Sequence, residues 1–532
     1  METDISAVCA KLDLKPDECI PHGFDRAKID LRALKRLEGK PNGKLILVTA
    51  INPTPAGEGK TTVSIGLAEG LQKVGKKAVL ALREPSLGPV FGVKGGATGG
   101  GKARLIPSDD IDLHFTGDFH AITSAHNLLS ALIDNHIFQG NELGIERVVW
   151  PRTMDMNDRS LRIIDTSLRK DSFVITAASE IMAVLALSND LNDLKERINT
   201  ILIGYTKDDE PVLVRDLGGA DAMTVLLREA MKPNLVRSTE GVPALVHAGP
   251  FANIAHGCNS IVATKLALKL GDYAITEAGF GADLGMEKFL DLKMPLLPKQ
   301  VDAVVLVATL RALKSHGGAQ QFDLPNMDAL VRGIPHLAKH LENITRTGLN
   351  CVIALNFFPD DDQREVDHLL AWAKEHNYPI ALAKGFTDGG AGMVELAHEV
   401  VAQANLPSHY TPLYLATDTP TKKIEKIAQN LYGAKEVQYS SKAADQLAYY
   451  EKRGWNLPVC IAKTPLSFSG DPTLRGVPTG FTLNIEEVRP SLGAGFLVAL
   501  TKGIMVMPGL NKKPRAFDFM IDGEGVITMK RS

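Results

Sequence analysis

At 532 residues the chain is long enough for roughly three or four domains of about 150 residues each, and a 45% hydrophobic content with mean hydropathy near zero supplies large cores and excludes a disordered chain. A net charge of −3 argues against a basic nucleic-acid face, and no apolar run approaches the ~20 residues of a membrane span. Cys9, Cys19, Cys258, Cys351 and Cys460 are scattered without a Cys-x-x-Cys, and the start Met1-Glu2-Thr3-Asp4 has no apolar signal segment; the reading is a cytoplasmic protein of a reducing compartment, without a zinc site or a disulfide framework.

Residues 1–43 read as a helical, charged lead-in, with apolar residues near helical spacing from Ile29 to Leu37. From Lys44 the pattern becomes α/β. A β-type run, Leu45–Val48, meets a Gly/Pro turn and then the helical pattern Val63 to Leu71. The turn, Thr54-Pro55-Ala56-Gly57-Glu58-Gly59-Lys60-Thr61, fits the phosphate-loop pattern G-x-x-x-x-G-K-[ST] except at its first position, where Thr54 replaces Gly. Glycines let successive N–H groups turn inward as an anion nest. Lys60 brings a point charge to the terminal phosphates, the Thr61 hydroxyl is placed to ligate Mg²⁺, and the helix adds the positive end of its dipole. The bland alternative is a Gly-rich turn on a helix N-terminus.

The next run, Ala78–Leu82, ends in Arg83-Glu84-Pro85-Ser86. In a doubly wound sheet this strand lies close to the phosphate-loop strand, so its carboxyl end faces the phosphates. Arg83 suits bidentate binding of a phosphate or carboxylate, with Glu84 accepting from a substrate amine or orienting Arg83; a surface ion pair is the competing reading. Half of the residues from Gly88 to Gly101 are Gly, yet Val90, Phe91 and Val93 are too apolar for a linker, so a backbone approaching a ligand fits better. His114, His120 and His126 stand six apart, which is not metal-pair spacing. Tyr205 to Pro211 reads as a hairpin turn returning through Val212–Val214.

Further β-type runs follow at Ala244–His247, Tyr273–Thr276, Ala303–Val307, Val352–Leu355, Ile380–Ala383, Leu413–Leu415 and Val459–Ile461, separated by helical patterns such as Asn259–Leu270, Pro325–Ile344 and Arg364–Glu375. This alternation predicts parallel sheets covered on both faces, with ligands beyond the carboxyl ends of the strands. Two Gly-rich loops, 249–257 and 276–285, stand at such ends as ligand walls or tight turns. Phe358 and Pro359, and then Phe386, follow two later strands; two aromatics so placed could sandwich a flat heterocycle, each stack contributing about 1 kcal/mol, or could be core plugs.

With those residues in view, the chain closely resembles the formate–tetrahydrofolate ligases, also called 10-formyltetrahydrofolate synthetases, from about Gly43 to Gly509. The resemblance is carried by Pro53 to Thr62, Arg83 to Gly92, Phe115 to Ala121, Asp155 to Arg159, Ala178 to Ala183, Gly249 to Gly257 and Met507-Pro508-Gly509. It implies a P-loop NTPase-like parallel-sheet domain with two further α/β domains, placed at residues 1–120 with 265–345, at 121–264 and at 346–532. It implies ATP with Mg²⁺, formate and tetrahydrofolate as reactants, a monovalent cation (K⁺ or NH₄⁺) as activator, and a homotetramer. Carried over by position, Thr54, Pro55, Ala56, Gly57, Glu58, Gly59, Lys60 and Thr61 hold ATP, with Thr61 toward Mg²⁺. Lys60, Arg83 and Glu84 act on formyl phosphate; Phe358, Pro359 and Phe386 form the pterin slot. The family commonly has Trp where Phe386 stands and Arg where Phe357 stands, and this chain is shorter between Asp165 and Phe173. The rival readings are a P-loop ATPase switch cycling between partners and a paralogue that has lost catalysis.

Overall fold

The apolar runs assemble into one large mixed sheet in the computed structural model, which describes residues 4–54, 57–92 and 96–530. Its strands are β1 (Cys19–Pro21), β2 (Ala27–Ile29), β3 (Lys44–Ala50), β4 (Ala78–Leu82), β5 (Ala103–Ile106), β6 (Asn234–Ser238), β7 (Pro243–Val246), β8 (Tyr273–Glu277), β9 (Ala303–Ala308), β10 (Cys351–Asn356) and β11 (Ile380–Ala383). They lie in the order β1-β2-β6-β7-β4-β8-β3-β9-β10-β11, with β5 branching from β6. From β7 to β11 every neighbour is parallel. At the other edge β1–β2, β2–β6 and β6–β7 are antiparallel. The all-parallel expectation therefore fails at that edge. The chain between β1 and β2, and between β6 and β7, is too short for the crossover a parallel pair requires. β6, β7, β10 and β11 come from segments that the sequence places in the second and third domains, and all share this sheet with β3.

Alternation along each strand feeds two cores. Leu45 and Leu47 of β3 enter one buried cluster, while Ile46, Val48 and Ala50 enter the cluster on the opposite face. The helix that follows, Lys60–Lys73, sends Val63, Ile65, Leu67 and Leu71 into the second cluster. Gly70 lets it approach Met393, whose Cβ would stand 2.8 Å from any Cβ added there.

Several local readings are corrected. Among the described residues of the lead-in, α-helix forms at α1 (Ile5–Lys11) and Arg32–Arg36, with a single 3-10 turn at Pro16–Glu18; between the two helices β1 and β2 add to the sheet edge. Cys9 of α1 and Cys19 of β1 are joined in a disulfide, against the expectation of isolated thiols, because the edge brings the two elements together. Leu413–Leu415 is a turn, in which the Leu415 N–H donates to Asp418 Oδ2 (2.8 Å) ahead of helix Pro420–Ile427. The 205–211 hairpin forms, pairing Leu202–Thr206 with Pro211–Leu213, but Val214 begins a helical turn. The shortened stretch after Arg162 is a tight antiparallel pair, Ile164–Asp165 with Lys170–Asp171. A second sheet, β12 (Glu436–Tyr439), β13 (Val459–Ala462), β14 (Thr482–Ser491) and β15 (Phe496–Thr501), completes the C-terminal region in the order β12-β14-β15-β13. Among the described residues no helix is long and apolar enough to cross a membrane.

After β8 the chain winds into wide π-helical turns, Ala282–Met286 and Phe289–Lys293, which are fully inside the protein. Glu287 and Asp291 stand one turn apart here. Burial pushes the Asp291 carboxyl up to about 7, and burial followed by the Asp291 charge raises Glu287 well above the usual carboxylate range. The groups facing the pair are Lys288, Asp283, Tyr410, Tyr414, Tyr432 and Cys460. A carboxyl whose folded pKa is raised stabilises the fold at acid pH and loses that contribution as pH rises toward the folded value. Asp291→Asn removes that titration, so its stability should gain on that of the unsubstituted protein by about 2 kcal/mol between pH 5 and pH 8. Parallel pH trends in urea melts of the two proteins would dissociate Asp291 from this effect.

Candidate active site at the carboxyl edge of the sheet

Because β7 through β11 are parallel, the loops after them emerge on one side. The loop after β3 is shaped by Gly57 (φ +81°) and Gly59 (φ +70°), with the Gly57 N–H donating to Thr54 O at 3.0 Å. Both glycines occupy the left-handed region that side chains disfavour. Glu58 points inward rather than at a ligand. One of its carboxylate oxygens accepts from the Thr54 N–H (2.7 Å) and hydroxyl (3.1 Å), and the other accepts from the Thr309 hydroxyl at the end of β9. Burial raises the Glu58 carboxyl pKa. From outside, Asn356 at the end of β10 donates to Glu58 O (3.1 Å), and a Cβ on Gly59 would strike its amide at 2.4 Å. Glu58 thus braces the loop from within. Pro55 and Ala56 lie outside the described residues. Lys60 opens the helix and is half-buried.

The Thr61 hydroxyl donates to both carboxylate oxygens of Glu277 (3.2 and 3.1 Å). Glu277 ends β8, which is inserted between β3 and β4. Sequence reasoning placed this residue in a ligand-wall loop without giving it a role. Its signal was an acid at a strand's carboxyl end, but its pairing with Thr61 depends on strand order.

Arg83 and Glu84 follow β4, one strand further on, and meet in a cavity of about 280 Å³. The surface-ion-pair reading of these two residues fails. Glu84 is buried, and the Arg83 guanidinium donates to Pro250 O (3.2 Å) while its Nε finds no acceptor among the described residues. Burial, and next the charge of Asp118, raises the Glu84 carboxyl well above the ordinary range. Behind the strand end, Asp155 accepts from the Ser86 hydroxyl (2.5 Å) and the Leu87 N–H (3.0 Å), and a Cβ on Gly88 would lie 2.4 Å from Asn157 Oδ1. The remaining walls come from Phe251 and Asn253 after β7, Gly279 and Phe280 after β8, and Met505 and Pro508 near the C-terminus. Five segments far apart in sequence therefore enclose one cavity. Sequence reasoning had not singled out Asn157, Phe251 or Asn253 individually.

Phe358 and Pro359 follow β10, and Phe386 follows the adjacent β11. Phe386 is 49% exposed, with one side against Gly100 and Gly101; a Cβ on Gly101 would stand 2.8 Å from its ring. The Gly-rich segment thus does approach closely, but to an aromatic ring, while its Val90 and Ala97 line the Arg83 cavity. Residues 93–95 lie outside the described residues. Two cations stand beside these rings: the Arg311 guanidinium, paired with the Asp360 carboxylate (2.6 Å), lies 4.3 Å from the Phe358 ring centre, and Lys384 Nζ lies 5.1 Å from that of Phe357. His126 is structural, stacked on Trp150 with Nε2 on Pro151 O (2.9 Å). Among the described residues no group of three His, Cys, Asp or Glu could hold a metal ion.

Comparison with known proteins matches a family model described as formate–tetrahydrofolate ligase over residues 1–529. A formate–tetrahydrofolate ligase of Acholeplasma laidlawii (strain PG-8A) is 56% identical over 517 residues, covering 97% of this chain and 98% of the relative.

Proposed function

The chain belongs to the formate–tetrahydrofolate ligase family of ATP-dependent ligases, and from that premise we propose how its residues carry the reaction. Formate attacks the γ-phosphorus of ATP as the bond to the ADP oxygen breaks, giving formyl phosphate. N10 of tetrahydrofolate then attacks the formyl carbon, the bond to the phosphate oxygen breaks, and N10 loses a proton, leaving 10-formyltetrahydrofolate and phosphate. Formate is a poor acyl donor because its oxygen leaves badly; phosphorylation makes it a good leaving group. The observation that carries this reading is the shared sheet edge. The phosphate loop and the Arg83–Glu84 cavity flank β8, whose end presents Glu277.

In this reading Gly57, Gly59 and Lys60 hold the ATP phosphates, and Lys60 with Arg83 balances charge on the phosphoryl group in transfer. Thr54 and Glu58 hold the loop in shape. Glu84, whose carboxyl burial raises well above the ordinary range, stands beside Arg83 at the acyl oxygens. Phe358, Pro359 and Phe386 receive the pterin, and the apolar cavity wall keeps water from formyl phosphate. Mg²⁺ fits the Thr61 hydroxyl with the Glu277 carboxylate, two hard oxygen ligands at the phosphate side, where it would neutralise phosphate charge. Glu277→Gln is expected to raise the half-saturating Mg²⁺ concentration about tenfold or more, checked by magnesium titration of initial rates; an unchanged titration would remove Glu277 from the metal. The same proposal includes activation by K⁺ or NH₄⁺, assembly as a homotetramer and a place in the cytoplasm.

Purified protein decides the matter. ADP release that requires both formate and tetrahydrofolate is the expected result. ATP hydrolysis in the absence of both would overturn it in favour of an ATPase switch.

A further inference from the structure

Asn52, directly before the phosphate loop, is fully buried, and its side-chain amide and its main-chain carbonyl are both hydrogen-bonded. Its side-chain amide donates to Asp283 Oδ1 (3.0 Å) and Pro465 O (2.9 Å), and its carbonyl accepts from His316 Nε2 (3.1 Å). His340 Nε2 lies 3.2 Å from its N–H and 3.0 Å from its Oδ1. Asp283 in turn forms an ion pair with Lys463 (2.7 Å) from the end of β13, both side chains wholly inaccessible. Five residues further along the same π-helical stretch, Lys288, also inaccessible, donates to Ala252 O (2.5 Å), and Ala252 lines the Arg83 cavity. Asp283 and Lys288 therefore stand on one rigid segment that touches the base of the phosphate loop at one end and the cavity wall at the other.

We propose that this segment is a positioning strut: Asp283, anchored by Lys463 of the C-terminal sheet, sets the phosphate loop through Asn52, and Lys288 sets the acyl-site wall through the Ala252 carbonyl. Neither residue touches substrate; both act by placing groups that do. Their side chains are buried, so no ligand needs to reach them. Close packing supports a rigid coupling. A Cβ on Gly281 would lie 2.5 Å from Asp283 Oδ1 and 3.3 Å from Asn52 Nδ2, and one on Gly279 would lie 2.6 Å from Ala252 Cβ and 3.0 Å from Arg83 Nη1. π-helical turns recur at functional sites, where the widened turn re-aims side chains.

The inference rests on the reaction proposed above, so its test separates the two. Removing Asp283 alone would leave the Lys463 ammonium buried and unpaired, a folding defect rather than a positioning one. Two double variants avoid this. Asp283→Asn with Lys463→Met keeps an acceptor for Asn52; Asp283→Leu with Lys463→Met does not. Both lose the ion pair, so they differ at the Asn52 contact. MgATP affinity, measured by calorimetric titration without turnover, is expected to fall roughly tenfold in the Leu variant relative to the Asn variant. Lys288→Met is expected to raise the formate KM by a similar factor with MgATP affinity unchanged, and Lys288→Gln, which keeps a donor, to recover part of it. Equal MgATP affinity in the two double variants, or a formate KM unmoved by Lys288→Met, would overturn the strut. An unsubstituted protein that turns over no formate would overturn the proposed reaction instead, and the calorimetric comparison would still decide the Asp283 contact.

Discussion

Lys60→Ala is expected to lower formate-dependent ATP turnover by roughly 10³-fold while the fold survives, because one cation aligned with a transferring phosphoryl group is commonly worth that much. Lys60 is the first residue of its helix and only half-buried. The hydrogen bonds that shape the loop run between Thr54, Glu58, Thr309 and Asn356, and the Lys60 charge acts on the Glu58 carboxylate beside them. Melting by circular dichroism should still show a cooperative folded state, while initial rates collapse. The helix dipole and the loop N–H groups would remain, so MgATP binding should weaken less than turnover. Full activity in this variant would remove Lys60 from the site and return the loop to a Gly-rich turn on a helix.

Arg83→Ala should abolish the use of formyl phosphate in the reverse direction, with a loss of about 10² to 10³ in rate. One arm of the guanidinium is committed to Pro250 O, which fixes the group at the cavity wall, while its buried Nε has no acceptor among the described residues. A buried donor without an acceptor is costly unless something occupies the site during the reaction. Arg83→Lys is expected to restore only part of the rate, since an ammonium lacks the planar fork that grips an acyl phosphate from two directions. ATP synthesis from ADP and formyl phosphate is the measurement, run beside a MgATP titration that should be unaffected. Unchanged kinetics in Arg83→Ala would leave it a wall residue and move the search to Asn157 and Asn253 of the same cavity.

These two residues also mark how far the chain could be read without its fold. Arg83 stands directly after a strand and Lys60 closes the loop after another, both strands legible as apolar runs punctuated by Gly and Pro, and Ala78–Leu82 and Ile380–Ala383 form over the residues their patterns indicate. Leu413–Leu415 was misread because a run of three apolar residues fits a turn as well as a strand; the Asp418 carboxylate captures its backbone instead. The edge strands of residues 19–29 were misread as helix because short, half-covered strands have little alternation to display, and their partner β6 is some 200 residues away in sequence.

The sequence by itself determined the local units: the strand, Gly-Lys-Thr-Thr loop and helix of residues 44–73, the Arg83-Glu84 strand end, and the aromatics after two later strands. Each is contiguous, and its geometry follows from nearby residues whose backbone preferences are strong. Tertiary structure alone decided which units face one another. Placing β8 between β3 and β4 brings Glu277 to Thr61 and sets the Arg83 cavity two strands from the loop after β3. It sets Arg311, paired with Asp360, over the Phe358 ring and turns Glu58 inward as a brace. Strand order is chosen by the packing of whole faces, through many weak apolar contacts between distant segments. No single segment encodes that sum, so the pairings at the site appear only once the sheet is assembled.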